Sequence, residues 1–212
     1  MATTHARDAR PVGDSSRDAI LDALKRLLVE ESLDDLSVAK IITEANTARA
    51  TFYFYFASKE DAFLALLNDV MAVIVPRFEA IVADVRRRRS ARLREDIAEW
   101  LLIEDPERAV VRSAVEEWPR RAELREVYLA GHARMVAVLA RAIDEDRQAR
   151  FAEDGLPADE LADAWIWTME RSWYEAVGGA DHLHDLPAVN DALAATLVAA
   201  IYGTNARPGT SR

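Results

Sequence analysis

The sequence predicts an all-α fold, and three observations carry that prediction. Seven Gly and seven Pro are spread thinly over 212 residues, several of them at breaks between apolar stretches. No segment shows the period-two alternation of a half-buried strand. Through most of the chain apolar residues recur at helical spacing instead, in about nine helices, three short ones first and longer ones after.

The first helix starts at Ser16, carries Ile20, Ala23, Leu24, Leu27 and Leu28 on one face, and stops near Ser32. Asp18 and Asp22 lie early in it and Lys25 and Arg26 later. Ser37 is a good N-cap for a short helix whose apolar face is Val38, Ile41, Ile42 and Ala45. Asn46 follows, a residue that tolerates the left-handed backbone of a tight turn. A third short segment runs from about Ala48 to Phe54. Ser58 with Asp61 is a short-armed capping box opening a long helix through Phe63, Leu66, Leu67, Val70 and Ile74. Pro76 should kink or interrupt it.

Two further helices, Arg94 to Glu104 and Glu107 to Trp118, are bounded by Pro106 and Pro119. A long one from Ala122 to about Phe151 has Leu124, Val127, Tyr128, Met135, Val138, Leu139 and Ile143 on its apolar side. Gly155-Leu156-Pro157 breaks the chain, Asp159 to Val177 ends in Gly178-Gly179, and Pro187 to Tyr202 ends in Gly203.

Composition narrows the function. Half of the residues are hydrophobic and 30% are charged, an ordinary globular balance in a length suited to one large domain or two small ones. Without Cys there is no disulfide framework, thiolate zinc site or cysteine nucleophile. No apolar run reaches the ~20 residues of a membrane span, and Met1 to Asp18 lacks the apolar core of a secretory signal. The expectation is a soluble cytoplasmic protein with no membrane partner. A net charge of −10 argues against nucleic acid, but it is uneven: residues 1–60 carry eight bases and ten acids. Ala45 to Lys59 holds Arg49 and Lys59 with no acid, and screening beyond about 8 Å keeps a distant acidic domain from vetoing a small basic face.

Two short amphipathic segments joined at Asn46 have the proportions of a helix-turn-helix, whose second helix enters the DNA major groove. That second segment holds five consecutive aromatics, Phe52 to Phe56, which cannot all face one core because neighbours are about 100° apart. Phe52 and Phe56 share a face and suit the core, which leaves Tyr53 and Tyr55 nearer the surface, where a phenol can donate to phosphate. Small Ala50 allows close approach to the groove, and Arg49 and Thr51 reach bases or phosphates. Composition alone favours the plainer reading, an aromatic-rich core segment.

Ser37-Val38 through Thr51-Phe52-Tyr53-Phe54-Tyr55-Phe56-Ala57-Ser58-Lys59-Glu60 resembles the DNA-binding signature of TetR/AcrR-family transcriptional regulators: an aliphatic helix, a turn, then T-[LF]-Y-x-[HY]-F-x-[SN]-K-[ED]. The match runs from Ile20 to Leu64, and Glu170-Arg171 and Ile201-Tyr202-Gly203 are weaker echoes. The resemblance implies that Thr47, Arg49, Ala50 and Thr51 line the groove side of a recognition helix. It implies that Tyr53, Tyr55 and Lys59 hold phosphates, that Ser37 is a further phosphate contact, and that Arg7 and Arg10 lie in an arm along the backbone. The chain departs from the family at the turn, where Asn46-Thr47-Ala48 replaces Gly-[VI]-Ser. Losing that Ser removes an N-cap worth ~1 kcal/mol unless Thr47 substitutes with a shifted helix start.

The same resemblance implies an arm over residues 1–15, a DNA-binding domain over 16–62, a ligand-binding and dimerisation domain over 63–205, and a tail over 206–212. Its partners would be a double-stranded palindromic operator, a second copy of the chain through the two C-terminal helices, and a small apolar or aromatic effector, with no cofactor. Effector binding would change the spacing or tilt of the two recognition helices, through the long helix starting near Ser58. Candidate effector residues are Phe78, Trp100, Trp118, Tyr128, Met135, Trp165, Trp167, Met169, Trp173 and Tyr174. Trp165, Met169 and Trp173 share a helix face, a stripe more often core or dimer interface than pocket. Glu170 and Arg171 read as either a buried pair or interface charges.

Other signals point nowhere specific. Asp181-His182-Leu183-His184-Asp185 follows a Gly-Gly break and reads as a solvated turn rather than a metal site. The basic run Arg86 to Arg89 reads as a solvated helix end, and His5 and His132 have no second ligand or nucleophile nearby. No phosphate loop or nucleophile elbow is present, which leaves an enzyme reading without residues. Two functions remain: a ligand-responsive DNA-binding repressor, and a helical small-molecule-binding or protein-interaction module with a non-functional helix-turn-helix.

Overall fold

The computed structural model describes residues 12–88, 105–178 and 185–203. Eight α-helices account for nearly all of them: α1 Val12–Glu30, α2 Val38–Glu44, α3 Arg49–Tyr55, α4 Lys59–Arg88, α5 Asp105–Glu117, α6 Ala122–Gln148, α7 Ala158–Val177 and α8 Leu186–Tyr202. The all-α expectation holds. The ninth expected helix, Arg94 to Glu104, lies outside the described residues.

Pro76 does not interrupt α4, which continues past it to Arg88. Its missing N–H costs one intrahelical bond, but Val75 and Phe78 on either side are buried. Burial of that face offsets the loss and holds the chain helical.

The helices form two compact units, one of residues 1–69 with 105–113, the other of residues 70–104 with 114–212. In the first, Ile20, Leu24 and Leu28 of α1, Ile41 of α2, Phe52 of α3, and Phe63 and Leu67 of α4 are fully buried. Ion pairs tie α1 outward: Arg26 to Glu44 of α2 at 2.8 Å, and Lys25 to Glu107 of α5. Arg112 of α5 also donates to the Leu28 carbonyl near the end of α1, at 2.8 Å.

In the second unit, α6, α7 and α8 bury Leu139, Ile143, Ala162, Trp165, Ile166, Met169, Leu193, Leu197 and Ile201 in one cluster that also takes Phe78 of α4. The Trp165 indole N–H donates to the Leu193 carbonyl at 3.2 Å, and the Tyr202 hydroxyl donates to Asp146 at 2.6 Å. Gly131 permits a close approach: a Cβ there would meet the Met71 sulfur at 3.1 Å.

Candidate functional site

The helix-turn-helix is set by its local caps. Ser37 caps α2, its hydroxyl accepting from the Lys40 N–H at 3.2 Å, as its sequence position predicts. At the other end Asn46 takes the left-handed conformation, φ +48°. The Asn46 N–H donates to the Thr43 carbonyl and the Thr47 N–H to that of Ile42, both at 3.1 Å, which is the Schellman closure of a helix. Asn at this position does what Gly does in relatives of the motif, at modest cost. The N-cap of α3 is Ala48, with no side-chain cap. Thr47 therefore does not replace the missing Ser, since it lies one residue before the N-cap position.

The box opening α4 is also shifted. Ser58 accepts from the Asp61 N–H at 3.1 Å, while Asp61 accepts from the Ala57 N–H at 2.9 Å rather than from that of Ser58.

Within α3, Phe52 and Phe56 are buried with their rings 5.8 Å apart, as the spacing predicts. Arg49, Ala50, Tyr53 and Phe54 are exposed, and Thr47, Thr51 and Tyr55 are half-buried. Arg49 lies over the Tyr53 ring at 5.2 Å and donates to its hydroxyl at 3.3 Å, so the guanidinium and phenol form one polar flank. The outermost large side chain is Phe54, 79% exposed, which the sequence reading did not single out. The helical period already marks it: at about 100° per residue it falls nearly opposite buried Phe52.

Lys59, expected to hold a phosphate, is half-buried at the start of α4. Its ammonium donates to the carbonyls of Leu33 at 2.7 Å, Asp34 at 2.9 Å and Leu36 at 2.6 Å. An ammonium has three protons, and all three hold the loop between α1 and α2. Those bonds tie the start of α4 to the loop before α2.

The expected effector residues divide. Phe78, Trp165 and Met169 belong to the core of the second unit, with Met135 packed against it. Tyr174 is half-buried, its hydroxyl donating to Glu116 at 3.2 Å and its ring under Arg171 at 5.2 Å. Trp100 lies outside the described residues, as do His182 and His184. Trp173 is buried with no hydrogen-bond partner for its indole N–H among the described residues, and the same is true of both ends of the buried Asn190 amide.

Trp118, Tyr128 and Trp167 come together in a separate aromatic cluster, with Trp118 stacked on Tyr128 at 5.6 Å and 6.1 Å from Trp167. Arg125 covers the Trp118 ring at 5.5 Å. Polar residues complete the cluster. His132 stacks on Trp167 at 4.0 Å and pairs with Asp163 at 2.9 Å, and the Tyr128 hydroxyl donates to Glu170. Burial outweighs the Tyr128 hydrogen bond and the nearby charges of His132 and Arg171, and it pushes the Glu170 carboxyl above its usual range. Burial and the Glu170 carboxylate likewise keep the Tyr128 phenol protonated. Glu170 and Arg171 are not a buried pair, because Arg171 turns away to Glu175 at 2.8 Å.

Residues 20–66 match the family described as bacterial regulatory proteins, tetR family, and residues 93–203 match the C-terminal domain of the transcriptional regulator EthR. Over 202 residues the chain is 32% identical to the HTH-type transcriptional regulator EthR of Mycobacterium tuberculosis, covering 94% of this chain and 93% of that protein.

The chain belongs to the TetR family.

Solved structures agree on the fold. SmeT of Stenotrophomonas maltophilia, in complex with triclosan, superposes with a TM-score of 0.72 at 19% identity, covering 92% of this chain and 96% of that one. FadR of Bacillus subtilis, in complex with stearoyl-CoA, gives 0.69 at 21%, covering 87% and 98%. This TetR-family protein is a DNA-binding transcriptional regulator, not an enzyme. No helix among its described residues is long and apolar enough to cross a membrane.

Proposed function

We propose that the protein is a repressor that binds a palindromic operator as a homodimer and is released by a small apolar or aromatic effector. The observation that carries the DNA half is the α3 surface, a helix locked by buried Phe52 and Phe56 that turns Arg49, Ala50, Tyr53 and Phe54 outward. Arg49, Ala50, Thr47 and Thr51 face the groove in this reading, while Ser37, Tyr53 and Tyr55 contact phosphates. Two-fold symmetry of a palindrome calls for a two-fold dimer, which α7 and α8 would form.

The effector half rests on the second unit. Trp118, Tyr128 and Trp167 supply aromatic wall, and His132 and Glu170 supply polar groups. An unpartnered buried donor costs about 1–3 kcal/mol, so an acceptor on the effector would be stabilised by Trp173 or Asn190. SmeT in complex with triclosan and FadR in complex with stearoyl-CoA are proteins of this fold that hold an aromatic molecule and a long-chain acyl thioester.

The test is selection from a random duplex library with the purified protein at about 150 mM salt, where non-specific phosphate binding weakens steeply. A recovered palindrome supports the reading and supplies the probe for an effector screen. A folded dimer that enriches no site would favour the binding-module alternative.

A further inference from the structure

We infer that Phe54 reads sequence, through apolar contact with the 5-methyl group of a thymine in the major groove. Several observations lead there. Phe54 is 79% exposed on a helix whose opposite side, Phe52, is fully buried. At about 100° per residue, Ala50 and Phe54 stand about 160° and 200° from Phe52, so these two form the centre of the outward face. Neither can donate or accept a hydrogen bond through its side chain. The polar groups stand to the sides: Arg49 with Tyr53 on one flank, Thr51 with Tyr55 on the other.

Ala50, one turn before Phe54, adds only a methyl group, so nothing at that position holds the helix off the bases. Finally, the Phe54 ring is not loose. It meets Tyr55 edge-on, centroids 4.9 Å apart and planes at 89°, which orients it before any partner arrives.

Major-groove edges present donors and acceptors at every base pair, but only thymine presents an apolar group there. A face whose centre is a methyl and a phenyl ring matches that group. It gives no hydrogen bond to the N7, O6, O4 or amino positions, so a guanine or cytosine opposite it would lose its water without gaining a partner. Arg49 on the flank would handle a neighbouring guanine or a phosphate.

The experiment uses the full-length protein and the operator recovered by selection. Each half-site thymine is replaced in turn by deoxyuridine, which deletes the 5-methyl and changes no hydrogen-bonding group. At one position per half-site the wild-type affinity should fall about fourfold, the worth of one buried methyl group. Phe54→Ala should weaken binding to the thymine operator and show no further loss on the deoxyuridine operator. Phe54→Leu, which keeps an apolar group, should retain part of the sensitivity. Because Phe54 is exposed, both variants should keep the wild-type melting temperature, which is measured alongside.

Wild-type indifference to deoxyuridine at every position would overturn the inference, as would an unchanged deoxyuridine penalty in Phe54→Ala. A Phe54→Ala variant that loses affinity equally for all duplexes would mark a backbone contact instead. A change in oligomeric state with operator affinity intact would mark a protein interface. Failure of the wild type to bind any duplex would overturn the regulator reading itself, a different result from tight binding without a methyl effect.

Discussion

Lys59 and Glu170 show how far a side chain's surroundings change what its residue type suggests. Lys59 sits in a motif where a lysine invites a phosphate, yet it spends its donors on the Leu33, Asp34 and Leu36 carbonyls. Lys59→Met keeps the stem and deletes the ammonium, removing the donor of the part-buried Leu33 and Leu36 carbonyls. It should destabilise the protein by about 1–2 kcal/mol, measured by urea unfolding. Unchanged stability would return Lys59 to the phosphate contacts. Glu170 is the opposite case, an acid that its setting disfavours as an anion. With its folded pKa raised above the unfolded value, the native state binds the proton more tightly. Stability contributed here is present below the ordinary glutamate range and is lost as pH rises through the raised folded value. Glu170→Gln keeps an acceptor for the Tyr128 hydroxyl and removes the titration. Its melting temperature should fall less than that of the wild type as pH rises, read by circular dichroism. Parallel pH profiles would show that Glu170 does not cause this pH dependence.

At the scale of the element, helix ends and helix faces obey different rules. The end of α2 closes by the Schellman pattern because Asn46 accepts a left-handed backbone, so the turn keeps its geometry without the glycine common in the family. The start of α3 has no side-chain cap, and its position rests instead on the burial of Phe52 and Phe56. Helix α4 passes through Pro76 for a similar reason, its face being buried on both sides of the break. The proline is exposed, so Pro76→Ala should restore one backbone bond without disturbing a packed side chain. An increase in stability of about 1–3 kcal/mol in chemical denaturation is expected. A loss of stability would mean that the helix is shaped around the proline.

For the whole molecule, the proposed repressor requires the second unit and the operator to be energetically coupled. Coupling between sites is typically about 1–3 kcal/mol, which changes affinity roughly 5- to 150-fold. An effector found by screening should therefore weaken operator binding within that range, and the operator should weaken effector binding by the same factor. Titration calorimetry with and without the duplex measures both. Unequal factors cannot come from one coupled pair of sites and would point to a second effector site. No change in either would leave the effector bound without regulatory consequence.

Much of this molecule is readable from local pattern. The helices of the described residues, the Ser37 cap, the left-handed Asn46 and the inward Phe52 and Phe56 follow from residues within one or two turns of each other, because helix periodicity and capping are short-range physics. The family signature between Ile20 and Leu64 is local in the same sense. Tertiary structure decided what depends on register between distant segments. Nothing near Lys59 in sequence announces carbonyls 23 to 26 residues away. His132 has no visible partner until α6 and α7 pack and bring Asp163 and Trp167 to it, 31 and 35 positions on. The same packing sorts the aromatics, sending Trp165 and Met169 into the core and Trp118, Tyr128 and Trp167 into a cluster of their own. Helical period marks which side of its own axis a residue occupies; only the packing of another helix determines whether that side meets core, partner or solvent.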